Sequence, residues 1–193
     1  MRIGLDIDGV FADFNVSFIE RCISITGVDR FPVRPFDIPT WDYPQHYGYT
    51  AAQTEAVWEN ITADPLFWAS LSAYPWTQTA LLRLNPNEDD IYFVTSRPGV
   101  IPKQQTEAWL LANGGPLAPT VLISSLKGEC ALALQLDVYI DDRDKNVYDV
   151  MTISPKTRTF LLDKPWNRGD HVYDWKGIER VSSPLEMLDR IGR

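Results

Sequence analysis

Short apolar runs that stop abruptly at polar residues recur along this chain. Ile3 to Leu5 is followed at once by Asp6, Ile7, Asp8 and Gly9. Ile91 to Val94 ends in Thr95, Ser96 and Arg97, and Val138 to Ile140 ends in Asp141 and Asp142. Runs of this length bounded by polar groups predict buried strands. Further strands are predicted at Thr120–Ile123 and Thr157–Leu162, with a short one closing at Val181. Between them the apolar spacing changes to three and four. Phe11, Phe14, Phe18 and Cys22 share one face of a helix predicted from Phe11 to Cys22 and ended by Gly27. Other helices are predicted at Thr50–Ile61 with Thr50 as N-cap, Thr77–Leu84, Gln104–Asn113, Leu126–Gln135 and Asp144–Met151. Ser183, Pro184 and Glu186 open a last helix to Ile191 in capping-box order.

Residues 28 to 49 break this rhythm. Pro32, Pro35, Pro39 and Pro44 prevent long regular elements there, while Phe31, Phe36, Trp41, Tyr43, Tyr47 and Tyr49 argue for order. The stretch reads equally as an ordered lid or as irregular packing without a ligand. Residues 16–75 are therefore predicted to form a small, mostly helical insertion. Residues 1–15 and 76–193 form an α/β core, a parallel sheet with helices on both faces.

Composition narrows the function. The formal charge of −8 argues against long nucleic acids and anionic membranes as partners, yet leaves a small anion open if a metal and local cations reverse the field. Cys22 and Cys130 are expected to be free thiols, since no CxxC or Cys/His cluster occurs. No segment approaches membrane-span length, and no signal peptide is expected ahead of the first strand. The expected setting is the cytoplasm, with a homodimer left open.

Ligands of parallel sheets bind beyond the carboxyl ends of the strands. Asp6, Asp8, Thr95, Asp141 and Asp142 all lie at such ends. Four carboxylates meeting there need a cation, because buried charge is costly unless it is paired or bound to metal. Gly9 permits a sharp turn beside them. Lys127 opposes the dipole at its predicted helix start, which favours a role for its charge elsewhere. Arg97 is suited to gripping phosphate or to pairing with an acidic neighbour. Asp163 and Arg168 read as loop braces, and His46 and His171 are isolated.

These pieces resemble the haloacid-dehalogenase superfamily of phosphatases. Asp6-Ile7-Asp8-Gly9-Val10 is similar to its first motif, Thr95-Ser96 to its second, Lys127 to its third and Asp141-Asp142 to its fourth, in the right order. The resemblance implies a Rossmann-like parallel sheet with a cap inserted after the first strand. Its closest likeness is to the 5′(3′)-deoxyribonucleotidases, through Asp6 to Phe14, Asp64 to Leu71, Ile140-Asp141-Asp142 and Pro165-Trp166-Asn167-Arg168. Arg97-Pro98 and the spacing of Lys127 look more like bacterial or phage relatives than mammalian ones.

What the resemblance implies is a Mg²⁺-dependent phosphomonoesterase acting on nucleoside monophosphates. Asp6 would be the nucleophile, Asp8 the acid and base, Thr95 a phosphate holder and Lys127 a countercharge. Asp6, Asp8 through its carbonyl, Asp141 and Asp142 would hold the metal. Phe14, Phe36, Trp41, Ser96 and Arg97 are the candidates for substrate contact. A sugar phosphate or polynucleotide end is the alternative substrate, and a non-catalytic binding protein the alternative class.

Overall fold

The computed structural model describes residues 1–31, 38–168 and 176–193. Six strands form one parallel sheet in the order β3-β2-β1-β4-β5-β6. They are β1 Arg2–Leu5, β2 Asp90–Thr95, β3 Thr120–Ile123, β4 Val138–Asp141, β5 Arg158–Leu162 and β6 Ile178–Val181. Eight helices accompany them among the described residues: α1 Phe14–Thr26, α2 Tyr43–His46, α3 Ala51–Ala63, α4 Thr77–Arg83, α5 Pro102–Ala112, α6 Lys127–Leu134, α7 Asp144–Ile153 and α8 Pro184–Arg190.

Strand alternation divides the core in two. Ile3, Leu5, Phe93, Val138, Ile140 and Phe160 enter one large cluster, which also takes in Met187 and Leu188 of α8. Tyr139 turns to the other face and packs with Ala131 of α6 and Val150 of α7. Every residue of β4 is buried, as a strand covered on both faces must be. Gly4 of β1 is required on that second face, because a Cβ there would sit 2.3 Å from a methyl carbon of Leu136.

Helix α1 begins three residues later than the apolar spacing predicts. The backbone N–H groups of Val10, Phe11 and Ala12 all turn back to the carbonyl of Ile7. Asp13 then caps the helix by accepting from the N–H of Val16 at 3.4 Å. Phe11 stays apolar and buried in that turn, so burial alone does not distinguish turn from helix. Thr50 is the N-cap of α3 as predicted, and it goes further by exchanging bonds with Gln53 in a capping box. At α8 the Ser183 hydroxyl accepts from the N–H of Glu186, but the Glu186 carboxylate reaches back to Ser182 instead.

Between β1 and β2 lies the aromatic helical segment. Phe14 stacks on Trp58 at 5.8 Å and on Trp68 at 5.6 Å between ring centres. Arg21 of α1 reaches Asp64 at 2.9 Å, beyond the end of α3. The chain leaves the sheet and returns to it side by side. Asp13 N–H donates to the Ser72 carbonyl at 2.8 Å, and Tyr74 N–H donates to the Phe11 carbonyl at 2.9 Å. Phe36 and His171 lie outside the described residues.

Candidate active site

Three neighbouring strands, β2, β1 and β4, end side by side, which brings together residues far apart in sequence. The carboxylates of Asp6, Asp141 and Asp142 are buried, and each offers an oxygen within 4.8 Å of the other two. Lys127 rises from the first turn of α6 to donate to Asp6 Oδ1 at 2.6 Å and to the carbonyl of Val94. Its N-terminal place on the helix is thus explained by a partner outside the helix. Gly128 follows it, and a Cβ there would meet the Asp149 carbonyl of α7 at 2.8 Å.

Crowding of like charge shows in the proton affinities. Burial pushes the Asp6 carboxyl up to about 8, Asp141 and Asp8 add to the push, and Lys127 works against it. Asp142 is raised well above the usual carboxylate range, first by burial, then by Asp141 and Asp6. Burial opposes the charged form of Lys127, but Asp6, Asp141 and Asp8 outweigh it and hold the ammonium above the ordinary lysine value. Asp6 and Asp142 resist ionisation even with Lys127 and Lys164 nearby, so the carboxyls lack countercharge, the condition that favours a bound metal.

Each member of the acidic pair is held differently. Asp141 accepts from Tyr139 Oη at 2.6 Å, from Asn146 Nδ2 at 3.0 Å and from the N–H of Arg143 at 2.8 Å. Asp142 is fixed by the loop after β5. Trp166 Nε1 donates to its Oδ2 at 3.1 Å, and Asn167 Nδ2 donates to its carbonyl at 2.7 Å. Lys164 in the same loop points into the faces of Tyr74, Trp76 and Trp166, with its Nζ 3.7 Å from the Tyr74 ring centre. Burial lowers this lysine to about 8, with Asp142 and Asp13 pulling it back up.

Asp8 stands apart from the acidic trio. Its carboxylate accepts from Arg97 Nε at 2.9 Å, from Arg97 Nη2 at 2.7 Å and from Thr95 Oγ1 at 3.2 Å. Among the described residues no donor reaches its backbone carbonyl, which is left free for another partner. Of the two roles the sequence leaves to Arg97, the one seen is pairing with an acidic neighbour, and the guanidinium is fully buried. Ser96 is exposed and donates to the Ser124 carbonyl at 2.9 Å.

A cleft of about 130 Å³ opens over these groups. Its floor is Asp6, Asp8, Thr95, Ser96, Asp141 and Asp142, and its walls include Phe14, Trp41, Trp58 and Trp68. A second hollow of about 170 Å³ shares Phe14, Trp41 and Trp58 and runs on toward Tyr43 and Thr54. Arg143 closes one side by lying over Trp41 at 4.5 Å. The sequence reading missed Trp58, Trp68, Arg143 and Asn146 as lining residues. Arg143 and Asn146 follow Asp142 on the same strand-to-helix connection, a signal that was available. A larger hollow, about 790 Å³, lies at the opposite end of the strands and contains none of these groups. Arg2 there is already engaged with Asp137 and Asp90.

Fold and site together define an α/β protein of the haloacid-dehalogenase type. A HAD-family hydrolase from Deinococcus radiodurans R1, solved with bound phosphate and sodium, superposes with a TM-score of 0.60 at 12% identity, covering 99% of this chain and 94% of that one. A haloacid dehalogenase-like hydrolase from Burkholderia xenovorans LB400 gives 0.59 at 14% identity, covering 97% and 94%. In sequence, a candidate nucleotidase of Bacillus cereus is 23% identical over 99% of this chain and 98% of its own length. The pattern of the family described as 5′ nucleotidase, deoxy (Pyrimidine), cytosolic type C protein matches residues 1–191, and the chain belongs to that family. It is therefore a phosphomonoester hydrolase. Among the described residues no helix is long and apolar enough to cross a membrane.

Proposed function

We propose that this protein is a Mg²⁺-dependent phosphatase of nucleoside monophosphates in the cytoplasm, working through an aspartyl-phosphate on Asp6. The observation that carries the reading is the Asp6 carboxylate, paired with Lys127 at 2.6 Å and grouped with Asp141 and Asp142, at the floor of an aromatic-walled cleft. Residues 16–75 serve as the cap that supplies Trp41, Trp58 and Trp68 to those walls. The all-oxygen donor set fits a hard divalent cation. Asp6, the Asp8 carbonyl and Asp142 would hold it. Asp141, whose oxygens are engaged by Tyr139, Asn146 and Arg143, would brace the set or complete it. When bound, the ion supplies positive charge that lets a carboxylate approach a phosphate dianion.

This chain's own residues do the rest. Asp6 attacks phosphorus, and Lys127 balances the charge at its Oδ1. Asp8 gives a proton to the departing ester oxygen and later takes one from the attacking water. The Thr95 hydroxyl is spent on Asp8 rather than on phosphate, so neighbouring backbone N–H groups hold the phosphoryl oxygens, and positioning and charge balance carry the transfer. Phe14, Trp41 and Trp58 offer flat apolar faces on which a base can stack. The aromatic hollow shares Phe14, Trp41 and Trp58 with the cleft over the carboxylates, an arrangement suited to a substrate with one dianionic end and one aromatic end.

Turnover should be measured on 5′- and 3′-nucleoside monophosphates, deoxy and ribo, and on sugar phosphates, with Mg²⁺ or with chelator. The expected result is Mg²⁺-dependent release of phosphate, fastest from nucleotides. Preference for sugar phosphates with no nucleotide turnover would overturn the substrate assignment.

Metal and proton are expected to compete. Asp6 is raised from 3.8 to about 8 in the folded chain. Between those values the folded state binds more protons than the unfolded state, so metal-free stability falls as pH rises through that window. A bound cation holds the carboxylates ionised and removes that loss. The rise in melting temperature on adding Mg²⁺ should therefore grow from pH 5.5 to pH 8. A shift that shrinks with pH would contradict this.

A further inference from the structure

Arg97 is the most deeply buried cation near the site, with no side-chain surface exposed. A guanidinium carries its charge at every accessible pH, so burial demands full pairing. The protein provides it from three directions. Asp8 takes Nε and Nη2 in a two-pronged pair, and Thr106 of α5 accepts from Nη1 at 3.1 Å. The Trp68 ring, returning from the helical segment, and the Trp109 ring of α5 lie 5.2 Å and 5.8 Å from its central carbon. Those rings are themselves tied down. Trp68 Nε1 donates to the Pro98 carbonyl at 2.9 Å, and Trp109 Nε1 donates to the Leu71 carbonyl at 2.7 Å. Such a socket costs far more to build than a surface ion pair, and its one charged output is the Asp8 carboxylate.

We infer that Arg97 is a positioning residue for proton transfer by Asp8. The inference rests on the functional reading given above, in which Asp8 handles the proton. A carboxylate has about four acceptor positions. Arg97 and Thr95 fill two on Oδ2 and one on Oδ1, so one position on Oδ1 remains for the transferred proton. The fork thereby fixes which oxygen serves and where its free lone pair points. In the step concerned, an Asp6 oxygen bonds to phosphorus and the bond from phosphorus to the ester oxygen breaks. The departing oxygen keeps the electron pair and takes the proton from Asp8.

The test compares leaving groups. A nucleoside leaves as a poor alkoxide that needs the proton, whereas p-nitrophenolate leaves without one. The parameter kcat/KM reads only through departure of the first product, so later hydrolysis of the phosphoenzyme does not enter. Arg97→Met is expected to lose about 10²-fold or more in kcat/KM on a nucleoside monophosphate, the usual scale of acid–base catalysis. On p-nitrophenyl phosphate the same variant should lose less than about tenfold. Arg97→Lys keeps the charge without the fork and should show a smaller loss with the same selectivity. Thr106→Val, remote from the reacting atoms, should follow in the same direction. If Arg97→Met does not fold by circular dichroism, the last two variants carry the comparison.

In an Asp8→Asn background, Arg97→Lys should cost nothing further, because the two act as one unit. Equal losses on both substrates in folded variants, or an unchanged nucleotide rate, would overturn the assignment. A native protein inert toward both substrates would instead overturn the functional reading itself.

Discussion

Replacing Asp6 by asparagine should leave a folded protein whose turnover of every phosphomonoester is reduced by about 10⁴-fold or more. Asparagine keeps the size of the side chain and one acceptor oxygen, so Lys127 retains a partner. It removes the charge that makes the carboxylate a nucleophile. The backbone bond from residue 6 to the Ile140 carbonyl, 3.0 Å long, holds the strand end in place regardless of the side chain. Stability should not suffer. Burial and the neighbouring carboxylates already oppose ionisation of Asp6, so a neutral group there relieves repulsion. Metal-free Asp6→Asn is expected to melt no lower than the native chain at pH 8. The pairing of lost activity with retained stability marks a site built against local preference. Activity within tenfold of the native chain would place the nucleophile elsewhere.

The second large effect is expected at Gly9. Its φ is +85°, and a Cβ built there would lie 2.0 Å from Asp142 Oδ2 and 2.3 Å from the carboxyl carbon. Both consequences fall on Gly9→Ala. The left-handed backbone costs an alanine about 1–2 kcal/mol, and the methyl must displace a carboxylate that Trp166 holds in place while Asn167 fixes the backbone carbonyl of the same residue. Asp142 is a proposed metal ligand, so this variant should lose Mg²⁺ binding by calorimetry as well as activity. Its thermal stability should fall by several degrees, in line with 1–2 kcal/mol in a chain of this size. An alanine variant that binds Mg²⁺ as the native chain does would show that the Asp142 carboxylate is free to move aside.

The floor of the site was legible in the sequence because its signals are local and costly. Two aspartates at the end of an apolar strand also fit a common Asp-Gly turn, and it is the recurrence at Asp141-Asp142, at a second strand end, that sets them apart. A lysine at a helix start raised the same question, and its bond to Asp6 answers it. The walls were much less legible. Trp58 lies within an ordinary helix and Trp68 in a short turn, and nothing in their spacing distinguishes a lining ring from a packed one. Trp41 reaches the cleft as anticipated, and Phe14 lines it while also stacking on Trp58 and Trp68. The start of α1 was misplaced because Phe11 fits the helical period yet belongs to the preceding turn. Whether Arg97 faced substrate or a carboxylate was undecidable from composition, since either partner satisfies a guanidinium. Only the socket of Trp68, Trp109 and Thr106 separates the two.

The strand order has a bearing on synthesis of the chain. Of the six strands, β1 is translated before the other five, yet it pairs with β2 on one side and β4 on the other. Its second neighbour ends at Asp141, so β2, β3 and the helices between them must be translated before β1 can be flanked on both sides. At typical elongation rates of about 5–20 residues per second, β1 waits on the order of ten seconds with one edge open. A chaperone that shields emerging hydrophobic segments should therefore raise the yield of active protein, and a rearranged gene that begins after residue 75 should depend on it less.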